Sequence, residues 1–240
     1  MKTFSIVQNW WQFVLLFVIA YACGCVNFAR IIARAKKVDI TKMGSGNPGT
    51  MNMTRSLGRK AGAATFFCDI FKAVIPMLFA YFLFRDYVFE GTNFIVSDFT
   101  RYLCGVAVVL GHIYPAPMKF KGGKGIASTF GVFCVGLTSE NPWFFFIWLG
   151  IMTIILILMI TTELGALASI IGVALFAVAQ EIIFMFRYAE VALNPYLVCA
   201  FVLVFAIILL DWWAHRGNIL RLFSGEERRT AFVKKKNKKA

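Results

Sequence analysis

The sequence predicts an all-α integral membrane protein of about seven transmembrane helices, some short or broken, with its N-terminus outside and its C-terminus cytoplasmic. Three observations carry this. Hydrophobic residues make up 60% and charged residues only 15% of the 240, and the mean hydropathy is +0.73. A water-soluble protein this apolar could not cover its surface with polar groups. Apolar runs near the length of a bilayer span recur along the chain, and Lys and Arg gather in alternate connections between them, the pattern expected of cytoplasmic loops.

The runs lie near 9–33, 61–84, 101–118, 125–138, 143–161, 164–186 and 195–213. The fourth is short and glycine-containing, with Pro115, Pro117 and Pro142 around it, so a re-entrant or oblique helix is an alternative to a full crossing. Ala22-Cys23-Gly24-Cys25 faintly suggests a lipoprotein cleavage site, but Lys2 is the whole charged n-region and the run continues towards Ile32, which favours an uncleaved span. The first connection is rich in Lys and Arg, the next holds Arg85 against Asp86, Glu90 and Asp98, and the third and last are basic again. Residues 1–240 read as a single polytopic domain ending in a basic cytoplasmic tail, 232–240. Net charge is +13; its place between apolar runs points to lipid headgroups, and no aromatics interleave with the tail lysines to stack bases. None of the six cysteines forms a C-x-x-C pair, so they read as reduced apolar residues with no metal.

The three connections assigned to the cytoplasm hold most of the unusual polar residues. They are G-S-G-N-P-G-T-M-N-M-T-R from Gly44 to Arg55, G-H-I-Y-P-A-P-M-K-F-K-G-G-K-G-I-A-S-T from Gly111 to Thr129, and H-R-G-N-I-L-R-L-F-S-G-E-E from His215 to Glu227. Gly44, Gly46 and Gly49 spell the dinucleotide fingerprint G-x-G-x-x-G. A Rossmann turn needs a buried strand before it, whereas KKVDITKM precedes Gly44 and Asp69 falls inside an apolar span. What the residues can do is hold an anion. Glycines let backbone amides converge, Ser45, Asn47 and Asn52 add donors, and Arg55 offers a fixed fork. The second segment repeats the theme with Lys121 and Lys124 and leads into a helix N-terminus; it is no Walker loop, because Gly125 follows Lys124. Two anion cradles on one face suggest a doubly phosphorylated substrate or two phosphorylated substrates. Taken singly, each segment also reads as an ordinary loop or a headgroup contact. In the third, Asp211 and His215 stand at i, i+4, so the carboxylate could orient the imidazole. Asp69 and Lys72, intramembrane charges on one helical face, could pair and tie their helix to the site.

Together the three segments resemble the bacterial acyl-phosphate:glycerol-3-phosphate acyltransferase family, PlsY, with G-S-G-N-P-G-A-T-N-x-x-R matched at Gly44–Arg55 except for Thr50-Met51, G-H-x-x-P…F-K-G-G-K-G-V-A-T matched from Gly111 with Ile126 for Val and Ser128 for Thr, and H-R-x-N-I-x-R-L…G-x-E at His215–Glu227. The resemblance implies transfer of a fatty acyl group from acyl-phosphate to the 1-hydroxyl of glycerol-3-phosphate, giving lysophosphatidic acid and phosphate, in a bacterial cytoplasmic (inner) membrane. It implies no cofactor and no metal, membrane lipid as surroundings, a monomer and no nucleic acid. A mixed anhydride carries its own leaving group, so direct attack without a covalent acyl-enzyme is expected, with alignment and charge neutralisation supplied by the site. On this reading Ser45, His112, Lys124, His215 and Asn218 are the catalytic set. Ser45, Gly46, Asn47 and the Gly122, Gly123 and Gly125 amides hold acyl-phosphate with Lys124; Arg55, His215 and Asn218 hold glycerol-3-phosphate, with Arg221 adding substrate contact. His112 is a hydrogen-bond donor or a weak general base, and a substrate phosphate is the alternative proton acceptor. Glu227 fastens the C-terminal segment through Arg216 or Arg221, and Asp69 and Lys72 support the site. The family's T-R-Y-x-S-x-x-S stretch keeps only Thr162 and Ser169 here, with Glu163 and Ala166 departing from it. No His-x-x-x-x-Asp box and no Asp cluster is present, which excludes the acyl-CoA box enzymes and metal-dependent phosphotransferases. The alternatives are a non-enzymatic transporter or anion-binding membrane protein, whose site belongs near the midplane between repeated halves, or a family member with altered substrate.

Overall fold

The computed structural model describes residues 1–230; the expected basic tail, 232–240, lies outside the described residues. Ten α-helices follow one another: α1 Ile6–Cys25, α2 Phe28–Ala35, α3 Thr50–Leu57, α4 Arg59–Phe84, α5 Val96–Ile113, α6 Ile126–Glu140, α7 Phe145–Thr162, α8 Gly165–Arg187, α9 Pro195–Ala214 and α10 Arg216–Phe223. The all-α expectation needs one amendment. Strands β1 (Lys2–Phe4) and β2 (Tyr87–Phe89) pair in parallel, tying the N-terminus to the connection after α4. A multi-pass membrane protein is evident from five stretches long and apolar enough to cross a bilayer, Ile6–Ala35, Arg59–Phe84, Pro142–Thr162, Gly165–Arg187 and Pro195–Ala214.

The span expected at 9–33 is in fact two helices. Backbone at Val26 and Asn27 is extended, and the Asn27 side chain caps α2 by accepting the Arg30 amide at 2.9 Å. A polar N-cap inside an apolar run stops one helix and starts another. The segment expected at 101–118 is α5, starting five residues earlier and ending at Ile113. Pro76 sits buried inside α4 without ending it.

Helix α5 forms the centre, packed against α1, α4, α6 and α9. Its crossing with α1 is close because both helices present glycine there. A Cβ on Gly24 would collide with the Val108 carbonyl, and one on Gly111 with the Tyr21 carbonyl; small residues let helices approach when no water-driven collapse assists them. Helix α6 packs on both α4 and α7, leaving a groove between those two. At the β1–β2 end, α5, α6 and α8 are joined by a charge network. Arg101, fully buried, donates to Asp98, to Glu140 at 2.6 Å and to the Gly136 carbonyl at 2.9 Å. Arg187 pairs with Asp98 at 3.6 Å and with Glu140, and the Tyr188 hydroxyl donates to Asp98. Two acids meet two bases, so the buried charges compensate each other.

Candidate active site

At the opposite end, the connections after α2, α5 and α9 come together around one cavity of about 1280 Å³. Its polar mouth is lined by Ser45, Asn47, Arg55, Lys124, Gly125, His215, Asn218, Arg221 and Glu227. Its inner wall is apolar, from Phe66 and Phe67 on α4, Phe130 on α6, and Leu149, Met152, Leu156 and Met159 on α7. Thus one cavity joins cations at this end of the helix bundle to the α4–α7 groove.

The first loop is held by a residue whose role was not legible as such in the sequence. Asn52, buried, accepts the Ser45 amide at 2.9 Å and donates to the Ile40 and Met43 carbonyls at 3.2 and 2.9 Å. Its amide group is therefore occupied inside the protein and is no donor to a ligand. The Gly46 amide likewise closes a turn on the Met43 carbonyl at 2.9 Å, at φ +73°, and Gly46 does not line the cavity. What this loop offers a ligand is the exposed Ser45 hydroxyl, the Asn47 side chain and Arg55, whose guanidinium also donates to the Arg229 carbonyl at 3.3 Å. Ser45 Oγ accepts the Asn47 amide at 3.4 Å, and no base among the described residues hydrogen-bonds to it.

The second loop corrects another expectation. Gly122 and Gly123 do not hold an anion through their amides: those donate to the Ile113 and His112 carbonyls at 3.1 and 3.0 Å, folding the loop back on the end of α5. Both must be glycine for steric reasons, since a Cβ on Gly122 would meet the His112 carbonyl and one on Gly123 would meet His112 Nε2. The amides left open to the cavity are one step further on. The first turn of α6 has amides with no intrahelical acceptor, and Gly125, Ile126 and Ala127 line the cavity at that helix end. Gly125, the N-cap, takes φ +92°, a left-handed conformation that suits glycine.

Beneath this loop lies a buried polar cluster. Lys72 Nζ meets Asp69 at 3.0 Å, donates to the Gly24 and Val26 carbonyls at 3.1 and 2.8 Å, and lies 2.8 Å from His112 Nδ1. Lys72 thus also holds the carbonyl end of α1. With an ammonium on its Nδ1 side, His112 accepts there and carries its proton on Nε2, against Gly123. This geometry makes His112 a support for the loop, and the general-base alternative loses its acceptor atom.

The third segment supplies a hydrogen-bonded chain. Lys124 donates to Asn218 Oδ1, Asn218 donates to Glu227 at 2.7 Å, and Arg221 donates to Glu227 at 3.0 Å. Of the two partners expected for Glu227, the structure selects Arg221; Arg216 turns to the Trp213 carbonyl and ring instead. The imidazole of His215 is oriented by Asp211, but by its carbonyl at 2.8 Å, whereas the carboxylate turns under Gly125, where it would block a Cβ. A carbonyl accepts only, so Nδ1 carries the proton and Nε2 is left as an acceptor. Burial and the neighbouring Lys124 push the His215 pKa down to about 4, so the ring is neutral at pH 7. Burial also lowers Lys124 to about 8, partly offset by Glu227. In the departing stretch, Ala166 and Ser169 line the cavity, while the Ser169 hydroxyl donates to its own helix at the Gly165 carbonyl, 2.8 Å away.

Known proteins share the sequence and the fold of this chain. The family model described as glycerol-3-phosphate acyltransferase matches residues 14–225. A protein of that name from Thermosipho melanesiensis is 37% identical over 92% of this chain and 94% of its own length, and one from Aquifex aeolicus is 37% identical over 90% and 98%. Among solved structures, the glycerol 3-phosphate form of PlsY (YgiH), an integral membrane glycerol 3-phosphate acyltransferase, superposes with a TM-score of 0.70 at 32% identity, covering 91% of this chain and 95% of that one; its lysophosphatidic acid form gives 0.69. By matched length, identity and fold, the chain belongs to the glycerol-3-phosphate acyltransferase family.

Proposed function

We propose that the protein transfers a fatty acyl group from acyl-phosphate to the 1-hydroxyl of glycerol-3-phosphate in a bacterial inner membrane, with the motif loops facing the cytoplasm, the N-terminus outside and all site residues supplied by one chain. One observation carries the reading: a single cavity joins a cationic mouth to an apolar groove. A donor with a phosphate at one end and an alkyl chain at the other fits that division, with the chain between α4 and α7 and the phosphate at Lys124, Ser45, Asn47 and the α6 amides. A polar acceptor then enters from the aqueous side, where Arg55, Asn218 and Arg221 lie.

The hydroxyl of glycerol-3-phosphate attacks the acyl carbon. Its proton is directed by His215 Nε2, a hydrogen-bond acceptor whose pKa of about 4 makes it a poor proton store. The phosphate of the donor, leaving as the C–O bond breaks, is the more basic receiver. The acyl oxygen gains negative charge next to Lys124 and the α6 amides, where fixed donors are worth most. Ser45 binds the donor phosphate and does not attack, since no base among the described residues hydrogen-bonds to it.

The reading is tested by phosphate release from palmitoyl-phosphate by purified protein, with and without glycerol-3-phosphate. Release that depends on the acceptor, with lysophosphatidic acid formed, is the expected result. Inertness towards palmitoyl-phosphate and towards acyl-CoA alike would favour a transporter or a catalytically dead relative instead.

A further inference from the structure

Beyond α10 the chain does not leave the site. Residues 226–230 run back across the cavity mouth. The Glu226 amide donates to the Arg221 carbonyl at 2.8 Å, and Glu227 takes Asn218 and Arg221. The Arg229 carbonyl takes Arg55, the Arg229 guanidinium meets Glu163 at 2.7 Å, and the Thr230 amide donates to the Glu163 carbonyl at 2.8 Å. Thr230 ends buried against Gly165 at the start of α8. The strap is therefore anchored on both sides of the cavity. Between its anchors lies Arg228, exposed to solvent yet lining the cavity, and close enough to act electrostatically on Lys124. A cleft lined by charges of one sign raises the local concentration of the counter-ion, here an anion. Glu227, the carboxylate nearest them, is already engaged by Asn218 and Arg221, and no ion pair of Arg228 occurs among the described residues. Arg228, Arg229 and Thr230 lie past the family-matched residues 14–225 and past the motif that ends at Glu227. Glu163, the latch, is one of the positions that depart from the family pattern.

We propose that Arg228 is a substrate-binding residue of this chain, taking the phosphate of glycerol-3-phosphate, and that Glu163 positions it by latching the strap through Arg229. The assignment rests on the acyltransferase reading above. It commits to the soluble substrate because the strap is tied to Arg55 and Arg221 on the aqueous side, whereas the apolar wall lies on α4, α6 and α7 beneath.

The test uses the full-length protein, varying glycerol-3-phosphate at fixed palmitoyl-phosphate and then the reverse. For Arg228→Ala the KM for glycerol-3-phosphate is expected to rise about fivefold, as for a solvent-exposed charge contact, with kcat within about twofold and the KM for palmitoyl-phosphate unchanged. Arg228→Lys should recover part of the loss. Glu163→Gln should shift the same KM by about twofold, since Arg229 is largely exposed and its pair with Glu163 is correspondingly weak. A wild-type KM for glycerol-3-phosphate in Arg228→Ala, a fall in kcat alone, or a rise confined to palmitoyl-phosphate would overturn the assignment while leaving the acyltransferase reading intact. An inert wild-type protein would overturn both.

Discussion

The two ends of the helix bundle solve the cost of charge near a membrane in opposite ways. At the β1–β2 end, Arg101 and Arg187 face Asp98 and Glu140, and the donors of Arg101 are also spent on backbone carbonyls. Charge is matched and the network is closed. At the motif end, Arg55, Lys124, Arg221 and Arg228 surround one cavity, and Glu227 is the acid set among them. Charge there is deliberately unmatched, and the surplus is what a phosphate can neutralise. The comparison teaches how to tell a structural polar cluster from a binding one: by whether its charges and donors are already used up.

Four measurements can break or sharpen that contrast. The largest effect is expected where the network is closed. Arg101→Ala strands Asp98 and Glu140 in a buried site and should cost about 3–5 kcal/mol of stability, read as a lowered thermal midpoint in detergent; an unchanged midpoint would show that the cluster is not holding the bundle. Next comes the open end. Lys124→Ala should lower kcat/KM by about 10²–10³-fold, as for loss of a preorganised charge at the reacting centre, while the thermal midpoint barely moves; matched losses of activity and stability would erase the distinction between the two ends. The pH profile is a smaller effect. Lys124 is charged in its acid form and titrates near 8, so kcat/KM should fall as pH rises through about 8, by up to about tenfold per unit. His215 is already neutral above about 4, so no second loss is expected between pH 5 and 7, and a profile flat to pH 10 would remove Lys124 from its role. The smallest effect belongs to Arg187, which is part-exposed. Arg187→Ala should cost about 1 kcal/mol or less, near the value of exposed pairs, and a loss as large as that of Arg101→Ala would mean that the network has no dry centre.

Much of the architecture could be read from residue order. Apolar runs gave the helices because hydrocarbon leaves the backbone no other way to satisfy its hydrogen bonds. Where the reading missed, a local polar contact was responsible. Asn27 breaks the first run into α1 and α2 through one cap, and Asn52 turned out to be a brace for the first loop because the carbonyls of Ile40 and Met43 lie within its reach. Past Glu227 the strap over the mouth carried no motif; its anchors, Arg55 with Arg229 and Glu163 with Thr230, are far apart in sequence.

The sequence by itself determined that this is a multi-pass membrane protein with three polar segments of anion-binding composition, because composition and spacing set which stretches enter lipid and which residue types remain outside it. Only the tertiary structure decided which donors are left for a ligand. Gly122 and Gly123 spend their amides on α5, His112 spends its Nδ1 on Lys72, and His215 keeps Nε2 open because the Asp211 carbonyl takes Nδ1. A donor's availability depends on what stands within about 3 Å of it, and that distance is settled by how the helices pack, not by the order in which the residues are strung.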